Sequence, residues 1–598
     1  MTLEQTLELH FNNKSRKKYL LEDMKYSETG KLVVDETYQI QEITESINRK
    51  KKENKAVTSF YKSSDLNALA LIEKINHFLI KQYLLQSDKQ AFKSSLSELN
   101  ENYGQDQVDK ILREYSLNFS GNSEQNLNKK IDSVSLRELL LEEIILLKIC
   151  NNNRAAAAYK ELFDDTPLTK KTKYTPVFYS ILEHFDKTPA FGPLGGNLIR
   201  ILMEPALKYP HSLQAQIEYM KDHWAVITDQ FLLLLMRSHD MIKEENKMFF
   251  SGPGPTSAIQ YGQVNNYEDE DTPNFSSDSN WMPEVILLAK NALVWLDQLS
   301  RDYKKEIKTL NQIPDQELDL MSSRGINCLW LIGIWNRSNA SKEIKKRCGN
   351  PDAVSSAYSL FSYDISYEIG GWGALEDLKQ RCERRGIRLA SDMVPNHTGI
   401  DSEWTRSRPD WFIQTDRPPF PSYTYNSENL SEDPGIGIYL EDHYYDKTDA
   451  AVTYKRVNFH TGRTRYIYHG NDGTSMPWND TAQLDFLQHD VREAVIQQVL
   501  HVAKNFPVIR FDAAMTLAKK HIQRLWYPEP GKGGDIASRS SFAMAKEEFE
   551  KAIGGEFWKE VVARVAREAP DTLLLAEAFW MMEGYFVRNL GMHRVYNS

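Results

Sequence analysis

From Met282 onward, short apolar runs alternate with amphipathic helical stretches, and no other feature of the chain constrains its fold so tightly. "INCLWLIGIW" (326–335) is almost continuously apolar, as in a strand covered on both faces. "ALEDLKQRCERRG" (374–386) has apolar residues at helical spacing and closes on Gly386, and "IRLASDMV" (387–394) is again strand-like. "FPVIRFD", a helical "MAKEEFEKAIGGEFWKEVVARVAREAP" and "TLLLAEAFW" (572–580) repeat the pattern. "EVILLAK" reads as the first strand, with a helix as the alternative. Such alternation predicts parallel strands joined by helical crossovers.

The expected fold class is therefore α/β: a partial TIM (β/α)8 barrel over 282–598, carrying its first five strands. The interval 398–484 is too long for an ordinary loop. Its segment "YIYHGNDGTSMPWNDTAQLD" is rich in aromatics and turn formers, which predicts a small inserted domain after the third strand. Residues 1–250 show helical periodicity, as in "SSDLNALALIEKINHFLIKQYLLQ" and "SLRELLLEEIILLKICNNNRAAAAYKELF", and predict an all-α accessory domain without a recognisable chemical motif. Residues 251–281 turn to Gly, Pro, Ser, Asn and acids and read as a linker or junction.

Net charge is −10, which argues against general nucleic-acid binding but leaves a neutral ligand open. Cys150, Cys328, Cys348 and Cys382 form no CxxC pair, so reduced thiols in a cytoplasmic protein are expected. The N-terminus has no apolar signal-like core, and the most apolar segments are charged or short, so no membrane association is expected. Oligomeric state is not readable.

Three strand ends carry polar groups. "SDMVPNHTG" supplies Asp392, Asn396 and His397; "IRFDAA" supplies Arg510 and Asp512; "LLLAEAFW" supplies Glu577. In a strand, residues i and i+2 share a face, so Arg510 and Asp512 point the same way. A guanidinium there lowers the pKa of the aspartate. Glu577 lies between Ala576 and Ala578, near Phe579 and Trp580, where desolvation would raise its pKa. One ionised and one protonated carboxyl on separate rigid strands is what glycoside cleavage requires. Each element alone also has a structural reading: an ion pair for Arg510 and Asp512, a turn and cap for "NHTG", a salt-bridge partner for Glu577. Their joint occurrence at successive strand ends favours chemistry.

Together these stretches resemble the α-amylase family, glycoside hydrolase family 13. "DMVPNH", "IRFDA" and "LLLAEAFW" resemble its first three motifs, and "AYSLFSYDISYEIGGWGALEDL" resembles the stretch before the first. The resemblance covers 282–598 and not residues 1–250. It implies Asp512 as nucleophile, Glu577 as general acid/base and Arg510 as the group orienting the nucleophile. It also implies His397 as a sugar-binding residue, Asp392 as a structural acid, and Tyr363 as the tyrosine stacking on the sugar, with Tyr358 as the competing choice. Asn396 matches an asparagine that often ligates structural calcium; the chemistry itself requires no cofactor.

The implied activity is retaining α-glycoside hydrolysis of α-glucans or maltooligosaccharides, with transglycosylation and a noncatalytic carbohydrate-binding scaffold as alternatives. Two departures stand out. Met515 and Thr516 occupy positions where many members have Lys-His. The family's fourth motif, a His-Asp supplying a third carboxylate, has no match, since His593 is followed by Arg594. A barrel interrupted after its fifth strand is therefore expected, belonging to a longer protein or completed by another chain, and inactive or nearly so alone.

Overall fold

The structure is a computed structural model describing residues 6–35, 37–53, 60–120, 126–131, 134–192, 194–224, 231–246, 273–471, 476–530, 536–537, 539–579 and 582–596. The chain divides into two compact units: Met1–Asn246 with the short segments Phe420–Ser422 and Pro530–Gly533, and the remainder.

The first unit is mainly helical, with two departures from an all-α expectation among the described residues, the smaller being the antiparallel pair Lys130–Ile131 and Val134–Ser135. Leu7–His10 pairs antiparallel with Lys31–Val34 as a two-stranded ribbon. Leu7, Leu9, Leu32 and Val34 of this ribbon are buried, so four residues of β-branched and leucine-rich sequence suffice for each strand once helices cover them. The helix Ser63–Gln86 buries Leu71, Ile75, Leu79 and Tyr83. The same unit buries charge. His10 Nδ1 lies 3.0 Å from Glu73 and its Nε2 3.2 Å from Glu143, while Lys31 Nζ lies 3.0 Å from Glu143.

The second unit is built on six parallel strands in chain order: β1 (Leu287–Asn291), β2 (Cys328–Ile332), β3 (Arg388–Met393), β4 (Val508–Phe511), β5 (Leu573–Glu577) and β6 (Arg594–Tyr596). Helices α1 (Ala292–Asp302), α2 (Asp315–Ser323), α3 (Gly371–Glu383), α4 (His489–Asn505) and α5 (Phe557–Glu568) fall between successive strands. The expected five strands are thus corrected to six. The last is only three residues long and interrupted by charge, which hid it from pattern reading.

Register explains the interior. Val508 pairs with Ala390 and Leu573, and Ala390 with Trp330, giving an apolar layer. Two residues along each strand, Asp392 pairs with Arg510, and Arg510 with Leu575. Two further, Glu577 pairs with Tyr596. Because side chains two apart share a face, the sheet's inner surface runs from hydrocarbon at the strand starts to ionised groups at their ends. Met282 caps the apolar end together with Cys328, Ala390, Val508 and Leu573.

Of the expected linker 251–281, residues 251–272 lie outside the described residues. The rest is no free connector: Trp281 Nε1 donates to Asp571 Oδ1 at 2.7 Å, Ser276 Oγ to the Gly591 carbonyl at 2.6 Å, and Arg594 pairs with Asp278.

After β3 the chain makes a long excursion. His397–Gly399 pairs antiparallel with Thr481–Gln483 at its base. Between them Gln414–Thr415, Thr464–Tyr468, Thr453–Asn458 and Ile436–Tyr439 form a four-stranded antiparallel sheet in that order. Among the described residues all four cysteines are free, and no helix is long and apolar enough to cross a membrane.

Candidate active site

Arg510 leaves the inner face of β4 and organises the strand ends. Its Nη1 donates to Asp512 Oδ1 at 2.5 Å and to Asp392 Oδ1 at 3.2 Å, its Nη2 lies 2.7 Å from Glu577 Oε2, and its Nε donates to Tyr596 Oη at 2.7 Å. The guanidinium is 6% exposed at the side chain and more basic than usual: burial opposes its charge, but Asp512 and Asp392 outweigh that cost. Side-chain exposure is 12% for Asp512 and 11% for Glu577 but 3% for Asp392, so the first two are more accessible than the third. Burial, followed by the charge of Asp512, drives the Asp392 pKa up to about 7 against the opposing pull of Arg510.

The backbone contributes as well. Asp512 N–H donates to the Met393 carbonyl at 2.8 Å, extending the β3–β4 ladder by one residue and fixing where the acid emerges. The next residue, Ala513, has φ +46°, the left-handed region that non-glycine residues rarely adopt. This turn aims the Ala513 N–H at Glu577 Oε2, 3.0 Å away. Thr516 Oγ1 donates to the Ala513 carbonyl at 2.8 Å, and Trp558 Nε1 to the Ala514 carbonyl at 2.9 Å, holding the turn. Thr516, a departure from the family pattern, thus has a defined local task.

The apolar company expected around Glu577 is not what its carboxylate meets. Arg510, the Ala513 amide and Tyr596 Oη, at 3.2 Å from Oε1, all donate to it. Trp580, one of the expected apolar neighbours, lies outside the described residues.

His397 is buried, its Nε2 3.1 Å from the Tyr358 carbonyl and its ring 5.0 Å from that of Trp478. Desolvation pushes its pKa down to about 4, so it is a neutral imidazole. Of the two tyrosines, Tyr358 lies under the Arg510 guanidinium, 5.2 Å from ring centroid to Cζ. Tyr363, preferred from sequence, spends its hydroxyl on Val394, accepting from N–H at 2.9 Å and donating to the carbonyl at 3.1 Å, and packs edge-on against Trp335. Both tyrosines feel the charges of Asp392 and Asp512; Tyr358 also stacks on Arg510, while the Tyr363 hydroxyl braces the Val394 backbone.

Asn396 does not fit a calcium ligand. Gln483 Nε2 donates to its Oδ1 at 3.0 Å and its carbonyl at 3.1 Å, and to the Leu484 carbonyl at 3.1 Å. An amide nitrogen stands where three oxygens converge, so a cation has no room there. Tyr596 was not anticipated; its signal, an alternating "HRVY" after Gly591, is too short to identify a strand.

No family model and no curated protein matches the chain. Solved structures do. The likeness is to α-amylase-type enzymes. A family GH13_31 enzyme is 16% identical, covering 53% of this chain and 52% of its own, with a TM-score of 0.36. An α-amylase from Lactobacillus plantarum is 16% identical over 50% of this chain and 46% of its own, TM-score 0.27. A trehalose-6-phosphate hydrolase from Bacillus licheniformis is 14% identical over 53% and 49%, TM-score 0.34. The chain spans about half the length of these structures. At this identity and TM-score the likeness carries no inference about activity.

Proposed function

We propose that the second unit carries the acid pair of a retaining α-glycosidase acting on α-glucans or maltooligosaccharides. One observation supports this reading above the others: a single guanidinium, Arg510, binds Asp512 and Glu577 on its two terminal nitrogens. One fork binding both acids gathers them at a common point of the site, as double displacement by a retaining enzyme requires. Asp512, held by its cation, attacks the anomeric carbon. The glycosidic C–O bond breaks as Glu577 passes its proton to the departing oxygen. Glu577 then takes a proton from water, whose oxygen attacks the anomeric carbon and releases Asp512.

Three carboxyls, those of Asp392, Asp512 and Glu577, share one guanidinium, and burial together with the charge of Asp512 raises the pKa of Asp392 to about 7. Tyr358, stacked against Arg510, supplies an aromatic surface beside the cluster, and neutral His397 bonds the Tyr358 carbonyl. Family 13 membership and the cytoplasmic location expected from the thiols belong to the same proposal. An acceptor sugar in place of water would make the reaction a transfer, and products formed with and without added acceptor separate the two.

The test assays the full-length protein, with Asp512→Asn and Glu577→Gln, on α-glucans and maltooligosaccharides. Each variant is expected to lose at least about a thousandfold in kcat. Unchanged turnover in both would end the assignment, and glucan binding by the unsubstituted protein without turnover would favour the scaffold alternative.

A further inference from the structure

We propose that Tyr596 is a positioning residue for the acid pair, its hydroxyl accepting from Arg510 and donating to Glu577 so that the guanidinium is held in one orientation across both acids. The proposal rests on the function proposed above, but its geometry stands by itself.

Tyr596 is the register partner of Glu577 on the adjacent strand, so the two side chains emerge together from the sheet's inner face. Its Oη lies 2.7 Å from Arg510 Nε and 3.2 Å from Glu577 Oε1. An Nε–H can only donate, so the phenol oxygen accepts there, and its own proton is free for the carboxylate. The direction of the chain is therefore fixed: Arg510 to Tyr596 to Glu577. Arg510 faces carboxyls from three strands, Asp392, Asp512 and Glu577, and could swivel among them. Anchoring Nε leaves one nitrogen for Asp512 and the other for Glu577. Burial and the nearby carboxylate keep the phenol protonated against the pull of Arg510, as a donor must be. The remaining aromatic neighbours, Trp330 at 6.3 Å and Tyr358 beneath the guanidinium, donate nothing to Glu577 among the described residues.

The experiment is a thermal-unfolding cycle across pH 3–9 on the full chain, comparing wild type, Tyr596→Phe, Glu577→Gln and the double variant. Donation to a carboxylate matters most when the carboxylate is charged. The Tm deficit of Tyr596→Phe should therefore widen as pH rises through carboxyl ionisation, and that pH dependence should vanish in the Glu577→Gln background. A deficit constant with pH, or equally pH-dependent without Glu577, overturns the proposal and leaves Tyr596 a packing residue.

In kinetics, Tyr596→Phe should lower kcat about tenfold or more with KM little changed, and move the alkaline limb of the pH–rate profile upward. Fluorotyrosine at position 596, a stronger donor that preserves shape, should move that limb downward and serves if the phenylalanine variant folds poorly. If the full-length protein turns over no glucan, the proposed function fails while the unfolding cycle still decides the role of Tyr596.

Discussion

At the scale of single side chains, Arg510 has more to balance than any other residue of the second unit. Removing it leaves Asp392, Asp512 and Glu577 without their shared cation in a largely buried site. Arg510→Ala should lower unfolding free energy by about 3–5 kcal/mol, measured by denaturant titration at pH 7, and lowering the pH should recover part of that loss as the carboxyls protonate. Arg510→Lys should not substitute, since one ammonium cannot reach two carboxylates and a phenol from a single planar fork.

Gln483 makes a second prediction. Its amide fills the space beside Asn396. Gln483→Glu replaces a donor by an acceptor facing three oxygens; it should cost about 1–3 kcal/mol, and added calcium should restore part of it. Arg510 and Asp512 were legible in the sequence because the i, i+2 rule needs only a strand end, and Glu577 because it closes an apolar run. The partners of Glu577 were not, since the Ala513 amide and Tyr596 reach it through a turn and a strand that periodicity does not mark.

At the scale of elements, the turn after β4 joins the two acids. Its left-handed Ala513 is held by Thr516 and by the Trp558 indole from α5. Trp558→Phe keeps most of the ring's packing against Phe511 and loses the N–H; it should cost about 1–2 kcal/mol in denaturant titration and reduce kcat with KM little changed. The base of the excursion after β3 is equally tight. A Cβ at Gly470 would lie 2.7 Å from Thr481 Oγ1 and 3.1 Å from His397 Cγ, so Gly470→Ala should displace His397 and raise KM for oligosaccharides. Strands β2 to β5 were readable because each is a compact apolar run. The segment 273–281 is loop, as its composition implies, but composition does not show that its tryptophan and serine dock on the barrel.

At the scale of the whole molecule, the first unit was legible as helices but not as the holder of a buried ionic cluster, because His10, Lys31, Glu73 and Glu143 come from separate elements. Burial opposes charge on His10, yet Glu73 and Glu143 raise its pKa from 6.5 to about 9; Glu73, despite burial, is pulled from 4.5 to about 2 by His10. The signs follow. Stability from His10 is full below pH 6.5 and lost as pH rises through about 9, and stability from Glu73 is full above pH 4.5 and lost as pH falls toward 2. Calorimetry of the full chain should show the Tm contribution of this cluster greatest between pH 4.5 and 6.5, and Glu73→Gln should flatten the acid side.

The short antiparallel seam between His397–Gly399 and Thr481–Gln483 has a consequence for how such a chain can diverge. A detour whose two ends are sewn together loses its closure entropy at the seam, not across its length. Residues can therefore be added to or cut from its far sheet at little cost to the strands below, whereas one altered stitch beside His397 shifts a ring that bonds the Tyr358 carbonyl next to Arg510. Variation among kindred chains should accordingly crowd the far end of the detour and spare its root.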